Sequence, residues 1–271
     1  MKSERWAIVL GASSGTGAGV ARALARDPGL HVFGMHRGHF MDAAHEVTTD
    51  IEAAGRRAVL HVGDAGTADG ARAGAVAFRA VAGPRSVAVV VHSLSGASIG
   101  SFLGGDGRPF EPRQFERTFN YLAHSFAYWA QALHAEDLLA PGARLLGLTN
   151  TLGESLLHNT GLIGAAKAAL EMYVRQLALE LGPLGHRVNL LKFGTVMTPA
   201  LRTVLGPDVM SRIEAAHREM IPAGRMCTVE EVGRIVSVLA REETEWFNGA
   251  TIDYTGGVTL RLMDLVFGKE R

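Results

Sequence analysis

Seven short apolar runs recur along the chain, at Trp6–Leu10, His31–Met35, Ala58–Val62, Val87–His92, Arg144–Thr149, Val188–Phe193 and Ala250–Asp253. Several are apolar at every position rather than at alternate ones, the pattern of a parallel strand covered by helices on both faces. Between them lie alanine-rich stretches with helical spacing, among them Val20-Ala21-Ala23-Leu24 and Leu170-Val174-Leu177-Leu181. Strand and helix alternating in this way predict an α/β fold, a doubly wound parallel sheet of about seven strands. No proline- or serine-rich linker interrupts the alternation, so residues 1–271 read as one domain.

Composition narrows the class. Of 271 residues, 47% are hydrophobic and 20% charged, which argues against disorder. No apolar run approaches the roughly 20 residues of a membrane helix. Met1-Lys2-Ser3-Glu4-Arg5 leads straight into a strand-like run rather than the core of a signal peptide. Basic and acidic residues number 27 each, leaving no electrostatic footprint for nucleic acid or an anionic membrane. The lone Cys227 can form neither an internal disulfide nor a cysteine metal cluster. These features predict a soluble cytoplasmic protein with no metal and a small-molecule partner.

The first run ends in Leu10-Gly11-Ala12-Ser13-Ser14-Gly15-Thr16-Gly17-Ala18-Gly19, and a helical pattern follows at once. Glycines at 11, 15 and 17 permit a tight turn and close approach to an anion, and a helix start offers free N–H groups to a pyrophosphate. A glycine-rich stretch alone also fits an ordinary flexible turn, but this one follows the first strand and opens the first helix, as the motif requires. Gly11, Ser13, Ser14, Gly15, Thr16 and Gly17 are therefore the first cofactor-binding candidates.

The spacing Gly-x-x-x-Gly-x-Gly resembles that of the short-chain dehydrogenase/reductase family, and the resemblance runs along almost the whole chain. Asp64-Ala65 is similar to its adenine contact, Phe119-Asn120 to the site of its active-site asparagine, and Ala165-Ala166-Lys167-Ala168-Ala169-Leu170 to its lysine helix. Gly182-Pro183-Leu184-Gly185-His186-Arg187-Val188-Asn189 resembles the stretch before its sixth strand. Gly194-Thr195-Val196-Met197-Thr198-Pro199 resembles its nicotinamide loop, and Thr255-Gly256-Gly257 its terminal segment. The resemblance implies a Rossmann-type fold, a homodimer or homotetramer, and nicotinamide contacts from Gly194, Val196 and Thr198. It also implies a substrate-covering segment at about 195–225, where Leu201, Val204, Leu205, Met210, Ile213 and Met220 recur at roughly helical spacing. An amphipathic helix packed on its own domain explains those positions equally well. The apolar tail, 258–271, is expected to pack on the domain or across a subunit interface.

Cofactor choice has a physical basis. After the second strand an NAD site needs a carboxylate for the ribose, whereas NADP needs positive charge for its 2′-phosphate. Here the chain reads Phe33-Gly34-Met35-His36-Arg37-Gly38-His39, with no acid until Asp42. Arg37, assisted by Ser14 or His36, points to NADP(H).

The catalytic region departs from the family pattern. The resemblance carries over Lys167 and Asn120 and places Asn150 at the serine position. The position of the proton-donating tyrosine, with three residues intervening before Lys167, holds Ile163. Val91-His92-Ser93-Leu94 and His124-Ser125-Phe126 resemble the enoyl-acyl-carrier-protein reductase branch, adding His92, Ser93 and Leu94 to the cofactor pocket. The spacings of the enoyl reductases fall on Thr160 and His158, neither a tyrosine. Reduction of a conjugated double bond spreads charge into an enolate, which hydrogen bonds from Lys167, Asn150 or Thr160 can stabilise. Carbonyl reduction makes an alkoxide and depends more on a positioned acid, a contribution of roughly 10²–10⁴-fold.

The leading expectation is thus an NADPH-dependent reductase of an enoyl or enone-type acyl or polyketide-like substrate. Alternatives are a ketoreductase with a substitute donor such as His158 and a cofactor-binding protein without turnover. A further one is a non-redox enzyme using Glu154 and His158. Tyr121, Tyr128 and Tyr173 are expected to pack, and His124 either packs or faces the nicotinamide.

Overall fold

The computed structural model describes residues 4–105, 107–151, 158–198, 207–258 and 260. Its elements alternate as the hydrophobic pattern predicts. In the first half they are β1 (Trp6–Leu10), α1 (Gly15–Arg26), β2 (His31–His36), α2 (Met41–Ala53), β3 (Ala58–Val62), α3 (Ala68–Ala82) and β4 (Val87–His92). Then come α4 (Pro112–Phe119), a π-helical turn (Asn120–His124), α5 (Ser125–Ala135) and β5 (Leu139–Thr149). The second half continues with α6 (Gly161–Leu181), β6 (Arg187–Phe193), α7 (Pro207–Met220), α8 (Val229–Leu239) and β7 (Thr251–Tyr254).

The seven strands form one parallel sheet in the order β3-β2-β1-β4-β5-β6-β7. Chain direction across the sheet reverses between β1 and β4, and crevices at such switch points hold ligands in open α/β sheets. Helices cover both faces. On one, Phe78, Phe126, Trp129, Leu133, Leu170 and Val174 build a core from α3, α5 and α6. On the other, Val20, Leu24, Val47, Ile51, Val232 and Val236 build a second core from α1, α2 and α8. β1 and β4 are buried at every position, the reason their sequences are apolar throughout.

Two close approaches depend on glycine. α1 and α8 cross at Gly19 and Gly233, where a Cβ on Gly233 would lie 2.9 Å from the Gly19 carbonyl oxygen. Trp129 lies against Gly74 and donates its indole N–H to the Ala65 carbonyl at 3.0 Å. This bond ties α5 to the end of β3.

Most strand bounds agree with the pattern to within one residue. β5 begins at Leu139 rather than Arg144 because Pro141-Gly142 sits in a bulge inside the strand. That dipeptide normally marks a turn. No helix among the described residues is long and apolar enough to cross a membrane. Of the proposed covering segment, Thr195–Thr198 and 207–225 are described; Leu201, Val204 and Leu205 lie outside the described residues. Within α7, the side chains of 211–220 are mostly exposed, with Ile213 half-buried. The tail expectation also falls outside the described residues, apart from Val258 and Leu260.

Candidate active site

The chain leaves β1 through a turn that only glycine can form. Gly11 has φ +89°, and a Cβ there would lie 2.5 Å from the Ser93 carbonyl oxygen. Gly15 has φ +56°, and a Cβ on Gly17 would overlap the Gly11 carbonyl. The Gly11 and Ala12 N–H groups donate to the Met35 carbonyl at 2.9 and 3.1 Å, and the Ser93 N–H donates to the Leu10 carbonyl at 3.0 Å. These bonds hold the ends of β1, β2 and β4 together. Ser14 precedes α1 in extended conformation and its side chain makes no cap bond, so the first-turn amides of α1 remain available. Ser13 is buried and Thr16 half-buried beside them. Bare backbone, open amides and a positive helix end fit a dinucleotide pyrophosphate.

At the end of β2, His36 is buried and its Nδ1 accepts the Gly38 N–H at 3.3 Å. Burial holds the imidazole below its ordinary pKa, so it shapes the turn as a neutral group rather than adding positive charge. Arg37 is exposed, and its guanidinium lies 5.2 Å from the centroid of the Tyr121 ring. The Tyr121 hydroxyl is 2.7 Å from both Asp64 carboxylate oxygens, and Asp64 Oδ1 also accepts the Gly66 N–H at 3.0 Å. The Tyr121 ring fits between Gly66 and Gly96, where a Cβ would approach it to 2.8 and 2.7 Å respectively. Burial and the adjoining carboxylate raise the phenol's pKa. Tyr121 is therefore not the simple packing residue expected from sequence: it joins Arg37 and Asp64 in one cluster. Its place directly after Asn120 was the available signal.

His92 and Lys167 are the buried titratable pair of the centre. His92 is wholly buried, with Nε2 2.8 Å from Ser125 Oγ. Ser125 in turn donates to the Tyr121 carbonyl at 3.3 Å, so the imidazole N–H is the donor to serine. Nδ1 has no partner among the described residues. Burial first, and Lys167 second, push His92 down to about 3, so it stays neutral and braces the floor below Ser93 and Leu94. Lys167 donates to the Leu148 carbonyl at 3.0 Å, and burial lowers its pKa to about 8.

Asn120 opens the π-helical turn between α4 and α5; such single-turn bulges frequently mark functional sites. Asn150 follows β5, half-buried, and Thr160 is buried at the head of α6. Ile163 is half-buried one turn ahead of Lys167, on the same helical side. His158 is exposed in the preceding turn, next to the left-handed Asn159 at φ +65°. Glu154 lies outside the described residues. His124 packs within an aromatic cluster: its Nδ1 is 3.0 Å from the Tyr173 hydroxyl on α6, with Phe119 and Tyr128 ringed about it.

The loop after β6 is set by Gly194, where a Cβ would lie 3.0 Å from the Thr255 carbonyl oxygen. Val196 is buried and bridges to Cys227, and Thr198 is half-buried beyond it. Below it, Lys192 pairs with Asp253 at 3.0 Å, and Asp253 also accepts from Thr255 Oγ1 at 2.6 Å. Sequence reasoning missed this pair; a lysine within an apolar strand run was its signal. It also missed the segment between β4 and α4, whose Phe102 and Phe110 meet Phe115 of α4 in an aromatic cluster.

Comparison with known proteins agrees with the fold. A family model described as enoyl-(acyl carrier protein) reductase matches residues 11–259. The chain is 31% identical over 176 residues to the NADH-named enoyl-[acyl-carrier-protein] reductase FabI of Escherichia coli, covering 64% of this chain and 64% of that protein. It therefore spans less than two thirds of that relative's length. It is 26% identical over 258 residues to 1-cyclohexenylcarbonyl-CoA reductase of Streptomyces collinus, covering 93% of this chain and 86% of that one. A blue fluorescent protein from a metagenomic library, solved in complex with NADPH, superposes with a TM-score of 0.82 at 25% identity, covering 95% and 98% of the two chains.

Proposed function

The chain belongs to the short-chain dehydrogenase/reductase family, matching its enoyl-(acyl carrier protein) reductase-like model, and from that premise we propose that it is an NADPH-dependent reductase of α,β-unsaturated thioesters or related enones. What supports the reading is a buried Lys167 beside a glycine-built dinucleotide cradle, with Ile163 at the position that the family resemblance gives to the tyrosine.

NADPH, when bound, supplies the hydride. The chain's own residues then have two tasks. Gly11, Gly15, Gly17 and the head of α1 hold the pyrophosphate, and Gly194, Val196 and Thr198 border the nicotinamide. Lys167, Asn150 and Thr160 offer donors to an oxygen on which charge develops, and preorganised donors in a dry site stabilise such charge strongly. An isoleucine cannot deliver a proton to an alkoxide. An enolate needs no immediate protonation at oxygen, and water can protonate the α-carbon later. Consumption of NADPH with an enoyl thioester, and not with the matching β-keto thioester, is the expected result; the reverse preference would make the protein a ketoreductase with Lys167 as its acid.

Arg37 supports NADPH over NADH. It is exposed, has no acidic ion-pair partner among the described residues, and lies over the Tyr121 ring. The E. coli relative carries NADH in its name, and the metagenomic protein was solved with NADPH. Arg37→Gln is expected to weaken NADPH binding about ten- to hundredfold, the scale of a charged hydrogen-bond pair, and to leave NADH binding unchanged. Fluorescence titration with both cofactors checks this; an unaltered NADPH affinity would refute the assignment.

A further inference from the structure

Loops from the carboxyl ends of β2, β3 and β4 meet at one side chain, Tyr121, the second residue of the π-helical turn. Its ring lies against Gly66 after β3 and Gly96 after β4, where added Cβ atoms would approach it to 2.8 and 2.7 Å. Its backbone is held as well, because the Ser125 hydroxyl donates to the Tyr121 carbonyl at 3.3 Å. The phenol hydroxyl thus has a set position beside Arg37, which follows β2, and Asp64, which follows β3.

Those two groups carry opposite charge. The hydroxyl is 2.7 Å from each Asp64 oxygen, so its one proton is shared across the whole carboxylate. Asp64 Oδ1 accepts a second bond from the Gly66 N–H at 3.0 Å. Arg37 lies over the ring, 5.2 Å from its centroid. The phenol senses both neighbours: burial and Asp64 raise its pKa, and Arg37 lowers it. Arg37 and Asp64 are both exposed and both touch Tyr121. Even so, they form no ion pair with each other among the described residues.

We propose that Tyr121 is the positioning residue that sets cofactor preference: its hydroxyl occupies the Asp64 carboxylate and so keeps the Arg37 guanidinium open to the 2′-phosphate of NADPH. The proposal rests on the NADPH reading above and adds the residue that preserves it. Without the hydroxyl, the carboxylate would turn to the neighbouring guanidinium, and a 2′-phosphate would have to break that pair to bind. NADH carries no phosphate there and meets no such competition. The ring acts separately, attracting the guanidinium to its face, and phenylalanine retains that attraction. Tyr121→Phe therefore isolates the hydroxyl.

Fluorescence titration with NADPH and with NADH tests it on wild type, on Tyr121→Phe, and on Tyr121→Phe combined with Asp64→Asn. The ratio of the two affinities is the readout, because a merely structural role would weaken both cofactors alike. Wild type is expected to favour NADPH. Tyr121→Phe should lower the ratio about fivefold, the scale of an exposed ion pair, through weaker NADPH binding alone. Adding Asp64→Asn should restore the wild-type ratio, since a neutral amide does not hold a guanidinium. Phenylalanine fills the same slot, and circular dichroism checks that the fold is kept. An unchanged ratio in Tyr121→Phe, an equal loss for both cofactors, or a fall that Asp64→Asn does not reverse overturns the proposal and leaves Arg37 as phosphate reader. Wild type without a preference for NADPH would instead remove the NADPH reading, and this proposal with it.

Discussion

Gly17→Ala is expected to lower nicotinamide dinucleotide affinity at least about a hundredfold, a loss of roughly 2.7 kcal/mol. The added Cβ would overlap the Gly11 carbonyl oxygen, a backbone atom that cannot rotate away. Either the turn opens or α1 shifts, and each displaces the amides that face the pyrophosphate. Overpacking of this kind also costs about 1–3 kcal/mol of stability, so the melting temperature should fall modestly while the fold persists. Gly105→Ala is the matching control: nothing lies within 4 Å of its added Cβ, and binding should be unchanged. Fluorescence titration alongside circular dichroism separates lost binding from lost fold. Full cofactor affinity in Gly17→Ala would show that the cradle is not the pyrophosphate site.

Lys167→Met should reduce kcat by about 10²–10³-fold, the effect of removing one well-placed donor to a developing oxyanion. The pH profile gives a sharper readout. Burial brings the Lys167 pKa to about 8, and its protonated form is the stronger donor. Wild-type turnover should therefore fall as pH rises through about 8, and the residual rate of the methionine variant should be flat there. Stability responds in the opposite sense. The folded-state pKa lies below the ordinary 10.5, so between about 8 and 10.5 the unfolded chain binds more protons and stability rises with pH. Below that window the buried ammonium costs about 3 kcal/mol. Lys167→Met should accordingly melt higher than wild type at neutral pH while turning over far more slowly. Equal loss of stability and activity would mark Lys167 as merely structural.

The sheet was legible because β1, β4 and most of β6 are apolar on both faces, a pattern that surface strands do not show. The phosphate cradle was legible for a related reason: glycines at positions requiring positive φ or close backbone approach leave a mark in sequence. β5 lost its first five residues because Pro141-Gly142 imitates a turn while sitting in a bulge. The candidate site was readable only in part. Tyr121 and Asp64 are 57 positions apart and meet through one hydroxyl, a contact that no local periodicity encodes. His158 stood at a spacing that suggested catalysis, yet the left-handed turn at Asn159 leaves it exposed. His36 stood beside Arg37 like a second cation, but burial and the Gly38 N–H keep it neutral. In each case the decisive quantity was burial or a long-range partner.

The most direct measurement is the destination of the hydride. The protein would be incubated with NADPH deuterated at the transferable position and an enoyl thioester, and the product examined by mass spectrometry and deuterium NMR. The reductase account predicts a saturated thioester with deuterium on the β-carbon and a solvent-derived proton on the α-carbon. Deuterium on a carbinol carbon when a β-keto thioester is offered, with the enoyl thioester recovered unlabelled, would contradict it.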